Sequence, residues 1–300
     1  MRISIAICTK DRPELLKSCL ASITASSLLP DELIIIDQSE NNLTEHLVNS
    51  FSGSGFELRY SKSKTRGKAI GLNGLSTVAT GELIGFTDDD CLVDPNWILE
   101  AKNHLFNHPD VSILTGKVIP SSVHSDKVYT PRFLKEHQIM AQGRVNPWEH
   151  GCAGGNMFVK REVFLHLRGF DGRFGPGAEF RSAMDGDFVY RAIKSGLKSL
   201  YSPQLIVYHQ DWRNNEESWA LIYNYAFGLG AFAAKHFKTG DFYPLCWIGL
   251  KFSKKFRRFL LGLLFIQKTR LLDGALQVSG MARGFTKMLL FGQTHKFIDF

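Results

Sequence analysis

ELIGFTDDD, residues 82–90, decides how this chain is read. An apolar run of strand length ends at Thr87 and meets three carboxylates, Asp88, Asp89 and Asp90. Adjacent carboxylates repel, and at least one pKa rises unless a cation neutralises them. A hard divalent cation held by one or two of them, its shell completed by a substrate's phosphates, is one solution. A solvated acidic turn is the other. The sequence around the stretch separates the two.

Upstream, residues 3–8 (ISIAIC) and 32–37 (ELIIID) are short, β-branched apolar runs, the pattern of buried strands. Residues 14–25 place Leu15, Leu16, Cys19, Leu20 and Ile23 at helix-face spacing. A helix is predicted around 43–51, a third strand over 56–61, and a helix over 68–80 that stops at Gly81. With 82–87 as the fourth strand, β and α alternate, which argues a parallel, doubly wound sheet with right-handed crossovers. Such sheets bind ligands beyond the carboxyl ends of their strands. Thr9, Asp37 and Asp88–Asp90 all fall there, which favours the metal-diphosphate reading of the triplet. No GxGxxG follows the first strand and no GxxxxGK[ST] occurs, which argues against a dinucleotide-binding dehydrogenase and a P-loop enzyme.

Further along, residues 151–159 (GCAGGNMFV) read as a glycine-rich turn entering a strand, followed by a helix over 161–167. A helix over 183–195 stops at Gly196, and short strands are expected at 197–201 and 204–209. After Glu216 the pattern is helical to the end, with breaks expected near 241–244 and 273–274.

Composition agrees with a globular protein of 300 residues, 44% hydrophobic and 22% charged. Its five cysteines, at 8, 19, 91, 152 and 246, show no C-x-x-C spacing; this speaks against a disulfide framework and suits a reducing cytoplasm. The net charge of +7 is unevenly placed. Residues 235–300 carry 12 Lys+Arg against 3 Asp+Glu, leaving a balance of −2 for residues 1–234. A basic tail points to an anionic partner. No secretory signal is read, and the apolar run 259–266 (FLLGLLFI) is far short of the roughly 20 residues that cross a bilayer.

Six segments together resemble family 2 glycosyltransferases of the nucleotide-sugar-dependent GT-A fold. In order they are ISIAICTKDRPELLKSCLASI, DELIIIDQS, GLNGLSTVATGELIGFTDDDC, GGNMFVKREVF, MDGDFVYRAIKSG and YSPQLIVYH, within residues 3–209. The resemblance implies a Rossmann-like, mostly parallel α/β sheet flanked by helices, with a helical C-terminal extension. It implies a catalytic domain over 1–215, with a nucleotide-binding half (1–95) and an acceptor half (96–215), then a basic helical region over 216–300. The implied reaction is inverting transfer of a sugar from a nucleotide-diphosphate donor of UDP, dTDP or GDP type to a hydroxyl of a carbohydrate or lipid-linked acceptor. Surface polysaccharide or glycoconjugate synthesis is the setting, and the cofactor is Mn²⁺ or Mg²⁺.

Roles carry over residue by residue. Thr9, Asp37, Lys68, Asn73, Asp88 and Asp89 would bind the nucleotide sugar, with Lys68 and Arg66 supplying charge where the family's Arg is replaced by Leu72. Asp88, Asp90 and His209 would hold the metal. MDGD matches the family's acidic motif with Met184 in place of Glu, and Asp185 is the expected catalytic base. Gly154, Gly155, Asn156 and Asp187 would line the sugar or acceptor pocket, although Asp187 and Arg191, four apart, also suit a structural ion pair. The Met184 departure keeps open a catalytically impaired sugar-binding relative or a membrane-associated scaffold.

In the tail, Phe252, Phe256, Phe259, Leu260 and Leu263 repeat at helical spacing, with Lys251, Lys254, Lys255, Arg257 and Arg258 on other faces. A second stripe runs through Val278, Met281, Ala282, Phe285 and Met288. Insertion of residues 251–266 at an anionic membrane surface is expected, and peripheral attachment to the inner face of the cell membrane with it. Packing on the catalytic domain is the other reading. No nucleic-acid module accompanies the charge, so no nucleic-acid partner is expected.

Overall fold

The computed structural model describes residues 1–53, 55–121, 128–210 and 212–291. The chain opens β1 (Ile3–Thr9), α1 (Pro13–Thr24), β2 (Glu32–Asp37), α2 (Leu43–Asn49) and β3 (Glu57–Lys62). Two short helices follow, α3 (Lys68–Asn73) and α4 (Leu75–Val78), then β4 (Leu83–Thr87) and β5 (Cys91–Val93). Next come α5 (Trp97–Asn107), β6 (Val111–Pro120), β7 (Ile139–Ala141), β8 (Asn156–Lys160), α6 (Arg161–His166), α7 (Met184–Lys194) and β9 (Lys198–His209). Three long helices close the described chain: α8 (Asn215–Lys238), α9 (Tyr243–Leu264) and α10 (Lys268–Leu290).

Every residue of β1, β2 and β4 is buried, which is why these strands read as continuous apolar runs rather than alternating ones. Proline at the start of α1 supplies a preset φ where no amide partner is needed. Leu16, Cys19, Leu20 and Ile23 turn from that helix into a core shared with Ile5, Ile7, Ile35, Leu83, Trp97 and Phe158. Each large side chain so buried contributes about 1.5–3 kcal/mol. Gly85 lies in β4 because a Cβ there would come within 2.6 Å of Ile5 Cδ1 and strike the Phe158 ring.

The nine strands run in the order β3-β2-β1-β4-β8-β6-β9-β5, with β7 pairing β9. Pairing is parallel from β3 through β4 and mixed beyond, since β8 runs antiparallel to both β4 and β6. The order reverses at β1 and β4, placing Thr9 and Asp88–Asp90 at the switch point.

Several local expectations change. The helix expected over 68–80 breaks at Gly74 into α3 and α4. The two strands expected at 197–201 and 204–209 are one, β9; its pairing with β6 skips from Ser202 to Ile206, and Pro203 in the gap has no amide to donate. The break expected at 273–274 does not exist. Asp273 and Gly274 lie within α10, where a Cβ on Gly274 would sit 2.7 Å from Phe259 Cα, so this glycine permits helix contact rather than ending a helix. The second apolar stripe is largely packing surface: Met281 and Met288 are buried, and Cβ atoms on Gly280 and Gly284 would collide with the backbone of α8.

Two compact units emerge among the described residues. One comprises residues 1–121, 130–172 and 184–212 and contains the whole sheet. The other comprises 128–129, 173–183 and 213–291 and contains α8, α9 and α10.

Candidate active site

β4 delivers the acidic triplet, and its carboxylates meet Lys68, Thr9, Trp212 and a shared Arg12. Lys68, at the start of α3, pairs with Asp88. Asp89 is almost wholly buried; it accepts a 2.7 Å hydrogen bond from Thr9 Oγ1 at the end of β1, and Arg12 Nη2 lies 3.0 Å from its other oxygen. Asp90 Oδ2 accepts from Trp212 Nε1 at 2.9 Å and has Arg12 Nη1 at 3.6 Å. The Arg12 guanidinium lies 5.4 Å from the centre of the Trp212 ring. Burial pushes Asp89 up to about 7, with Arg12 pulling down and Asp90 pushing up. Burial alone would lower Lys68, but Asp88 outweighs it and the ammonium is held above its ordinary value.

β5 and β9 bring a histidine to the same place. Cys91 registers against His209, whose Nε2 stands 3.6 Å from Asp90 Oδ1. His209 is buried and its Nδ1 has no hydrogen-bond partner among the described residues. Asp88, Asp90 and Cys91 offer ligand atoms within 4.8 Å of one another. Burial lifts the Cys91 thiol well above its ordinary value, so it remains protonated and the carboxylates are the anionic donors. The two carboxylates fit a hard divalent cation, and His209, whose Nε2 rather than its vacant Nδ1 faces Asp90, lies beside that group and outside it.

Gly154-Gly155 links this cluster to Asp185, in the first turn of α7. Gly154 N donates to Asp185 Oδ2 at 2.9 Å. A Cβ on Gly154 would stand 3.2 Å from Asp185 Oδ2, and one on Gly155 3.2 Å from Asp88 Oδ2. The dipeptide therefore runs with one carboxylate beside each residue. Thr87 Oγ1 pins it by donating to Gly155 O at 3.0 Å. Burial raises Asp185 above the ordinary carboxylate range; amide donation from Gly186 and the charge of Lys68 pull the other way. Met184, next to it, is buried.

Other expected site residues have internal duties. Thr9 is buried beneath Asp89. Asp37 is fully buried and accepts from Ser39 N and Tyr60 Oη, with Lys62 at 3.5 Å. Asn73 bonds both ways with the Phe170 backbone and so ties down that loop. Asn156 does not face a pocket: it is fully buried, accepts from Trp97 Nε1 and donates to Lys117 O and Leu205 O. Asp187 is likewise fully buried against Arg191, which also donates to Leu167 O and Gly169 O. Both were expected at the acceptor pocket and instead brace the walls. Sequence reading missed Arg12 and Trp212. Arg12 shares the loop after β1 with Thr9, and that position was the available signal; Trp212, three residues past His209, gave none.

A sheet whose order reverses above an acidic triplet, faced by a second carboxylate at a helix start, is the arrangement of a GT-A glycosyltransferase. Residues 4–168 match the glycosyl transferase family 2, and the chain belongs to that family. It is 24% identical over 221 residues to the glucosyl-dolichyl phosphate glucuronosyltransferase of Haloferax volcanii, covering 70% of this chain and 69% of that one. Among solved structures it resembles the mannosyltransferase PcManGT of Pyrobaculum calidifontis, in complex with GDP-Man and Mn²⁺, with TM-score 0.64, 18% identity, and 96% and 87% of the two chains covered. It also resembles residues 1–349 of S. aureus TarS, with TM-score 0.59, 15% identity and coverage of 94% and 90%. The class of reaction is glycosyl transfer.

Proposed function

We propose that the chain is an inverting, divalent-metal-dependent glycosyltransferase that moves a hexosyl-type sugar from a nucleoside diphosphate to a hydroxyl of a lipid-linked or carbohydrate acceptor. The observation that carries this reading is Gly154-Gly155, with Asp88 on one side and Asp185 on the other. It sets a donor-binding carboxylate and a proton-accepting one a dipeptide apart, with no side chain between them. Asp88 and Asp90, with His209 beside them, would hold Mn²⁺ or Mg²⁺, which when bound neutralises charge on the departing diphosphate. Lys68 and Arg12 add fixed positive charge beside the same carboxylates. Thr9 and Asn73 hold the triplet and the 170 loop in position, and Asp37 and Asp89 border the nucleotide end.

Asp185 would take the acceptor hydroxyl's proton as the oxygen attacks the anomeric carbon and the C–O bond to the diphosphate breaks. One displacement inverts that carbon and needs no covalent side-chain intermediate. A buried carboxylate with a raised pKa is a better proton acceptor than an exposed one. Met184, in place of the family's Glu, leaves Asp185 with amide donors but no adjacent carboxylate.

The named activity of the Haloferax relative supports a lipid-linked acceptor, and GDP-Man in the Pyrobaculum enzyme supports a nucleotide-sugar donor. We extend the proposal to a role in surface polysaccharide or glycoconjugate assembly at the inner face of the membrane, which a lipid-linked acceptor supports. The test is consumption of UDP-, dTDP- and GDP-sugars with Mn²⁺ or Mg²⁺, with and without polyprenyl-phosphate acceptors, followed by anomeric NMR of the product. Nucleotide release that needs both metal and Asp185, with inversion, supports the reading. Metal-dependent donor binding without turnover would instead identify a sugar-binding relative.

A further inference from the structure

α9 and α10 carry similar amphipathic patterns and use them differently. On α9, Phe259 and Gly262 face α10: a Cβ on Gly262 would sit 2.5 Å from Leu271 N, and Phe259 occupies the space left by Gly274. Lys255 and Arg258 reach Asp273 on α10 at 3.5 and 2.9 Å. The rest of the stripe is left outside. Phe256, Leu260, Leu263 and Leu264 are exposed on one face of α9, and they run into Phe265 and Ile266 at the turn, with Leu272 beyond it. Exposure is 44% at Phe256, 71% at Leu264 and greatest, 85%, at Ile266.

The turn itself is unusual. Gln267 N donates to Gly262 O at 2.9 Å, closing the helix end in the manner that places a left-handed residue just before it. That residue is Ile266, at φ 54°. A β-branched side chain in this conformation is a strained outlier where glycine costs nothing. Since Ile266 is almost fully exposed, core packing does not account for its being there.

Charge around the corner is one-sided. Lys254, Arg257, Lys268 and Arg270 are exposed. Between residues 242 and 291 the one acidic residue is Asp273, and it is engaged by Lys255 and Arg258. No helix among the described residues is long and apolar enough to cross a membrane.

We propose that the α9–α10 corner, Leu260–Ile266 with Leu272, is a membrane-insertion element that enters the apolar boundary of an anionic leaflet while Lys254, Arg257, Lys268 and Arg270 meet the headgroups. An apolar tip within a cationic rim matches that surface in both of its chemistries. The proposal narrows the contact expected along the whole stripe to the corner, since Phe259 is partly buried where α9 meets α10 at Gly274. The proposal goes beyond the catalytic reading, because vesicle binding is measured without turnover.

The test is flotation of the full chain with vesicles of phosphatidylcholine alone or mixed with phosphatidylglycerol. Binding is expected to the anionic vesicles, weakened but not abolished by high salt. Ile266→Gly is the decisive variant. It relieves the left-handed strain, so the melting temperature should stay or rise, while vesicle binding falls about tenfold through loss of a large apolar side chain. Leu264→Ser with Ile266→Gly should abolish flotation, with circular dichroism unchanged. A melting temperature lowered by Ile266→Gly would make the corner a folding element and overturn the proposal. So would equal flotation of parent and variant, or a concentration-dependent dimer in solution that Ile266→Gly dissolves.

Discussion

Asp88–Asp90 and Asp185 stand on either side of one glycine pair and are held in opposite ways. The triplet is matched to charge: Lys68 on Asp88, Arg12 on Asp89 and Asp90, Trp212 also donating to Asp90. Asp185 receives Gly154 N, and no cation lies at ion-pair distance from it among the described residues. The contrast teaches how one fold obtains two behaviours from one side chain. Burial raises the pKa of Asp89 as it does that of Asp185, but Asp89 has the Arg12 guanidinium at ion-pair distance to pull it back. Asp185, buried and with no cation at ion-pair distance, holds its proton more tightly than an ordinary carboxylate, as an acceptor of protons must.

The largest expected effect breaks the second half of that contrast. Asp185→Asn keeps the amide contacts and removes the base, so turnover should fall by about 100- to 10,000-fold with donor affinity nearly unchanged. Steady-state rates and calorimetry of nucleotide binding read the two separately; turnover within a few-fold of the parent would move the base elsewhere. The same variant carries a stability signature. Asp185 has a folded-state pKa above its unfolded value, so the folded state binds the extra proton between them. Stability therefore declines as pH rises through that window, and the penalty is complete above the folded pKa. Asp185→Asn should match the parent's melting temperature in strong acid and exceed it at neutral pH. The acid limb of the parent's turnover should lie above the ordinary carboxylate range for the same reason.

Asp90→Ala breaks the first half. It removes a carboxylate to which His209, Arg12 and Trp212 all turn, and metal-dependent nucleotide affinity should fall by more than about 100-fold. Circular dichroism should show the fold retained, because Arg12 keeps Asp89. Unchanged affinity by calorimetry would place the metal elsewhere.

The contrast was half legible in the sequence. Strands over 3–8, 32–37 and 82–87 could be read because both their faces are buried, which leaves unbroken apolar runs. The triplet could be read because Thr9 and Asp37 fall at neighbouring strand ends, which sets it apart from a solvated acidic turn. The environment of each carboxylate could not, since Arg12 and Trp212 reach the cluster from 200 positions apart in the chain. Asn156 and Asp187 misled for a related reason: their polar groups are satisfied inside, by Trp97, Lys117, Leu205 and Arg191, and sequence spacing does not reveal a buried partner. In the helices, the stripe on α9 and the stripe on α10 looked alike. What separates them is glycine, at 280 and 284, where the backbone of α8 needs the space. Gly284→Ala should accordingly destabilise the helical unit by about 1–3 kcal/mol, the usual cost of overpacking, measured by thermal or urea unfolding.

The smallest expected effect tests whether neutralisation of the triplet is shared. Trp212 donates Nε1 to Asp90 and lies against Arg12, so its ring also helps hold that guanidinium between two carboxylates. Trp212→Phe retains an aromatic face and removes the donor. A hydrogen bond to a charged group is worth about 1.5–3 kcal/mol, but Arg12 remains to compensate, so metal-dependent nucleotide affinity should change by about tenfold or less. Arg12→Ala combined with Trp212→Phe should then cost more than the two single changes added, because each leaves the other in place on Asp90 Oδ2. Strict additivity in that double-mutant cycle would mean that Arg12 serves Asp89 alone, and the two carboxylates would be neutralised independently.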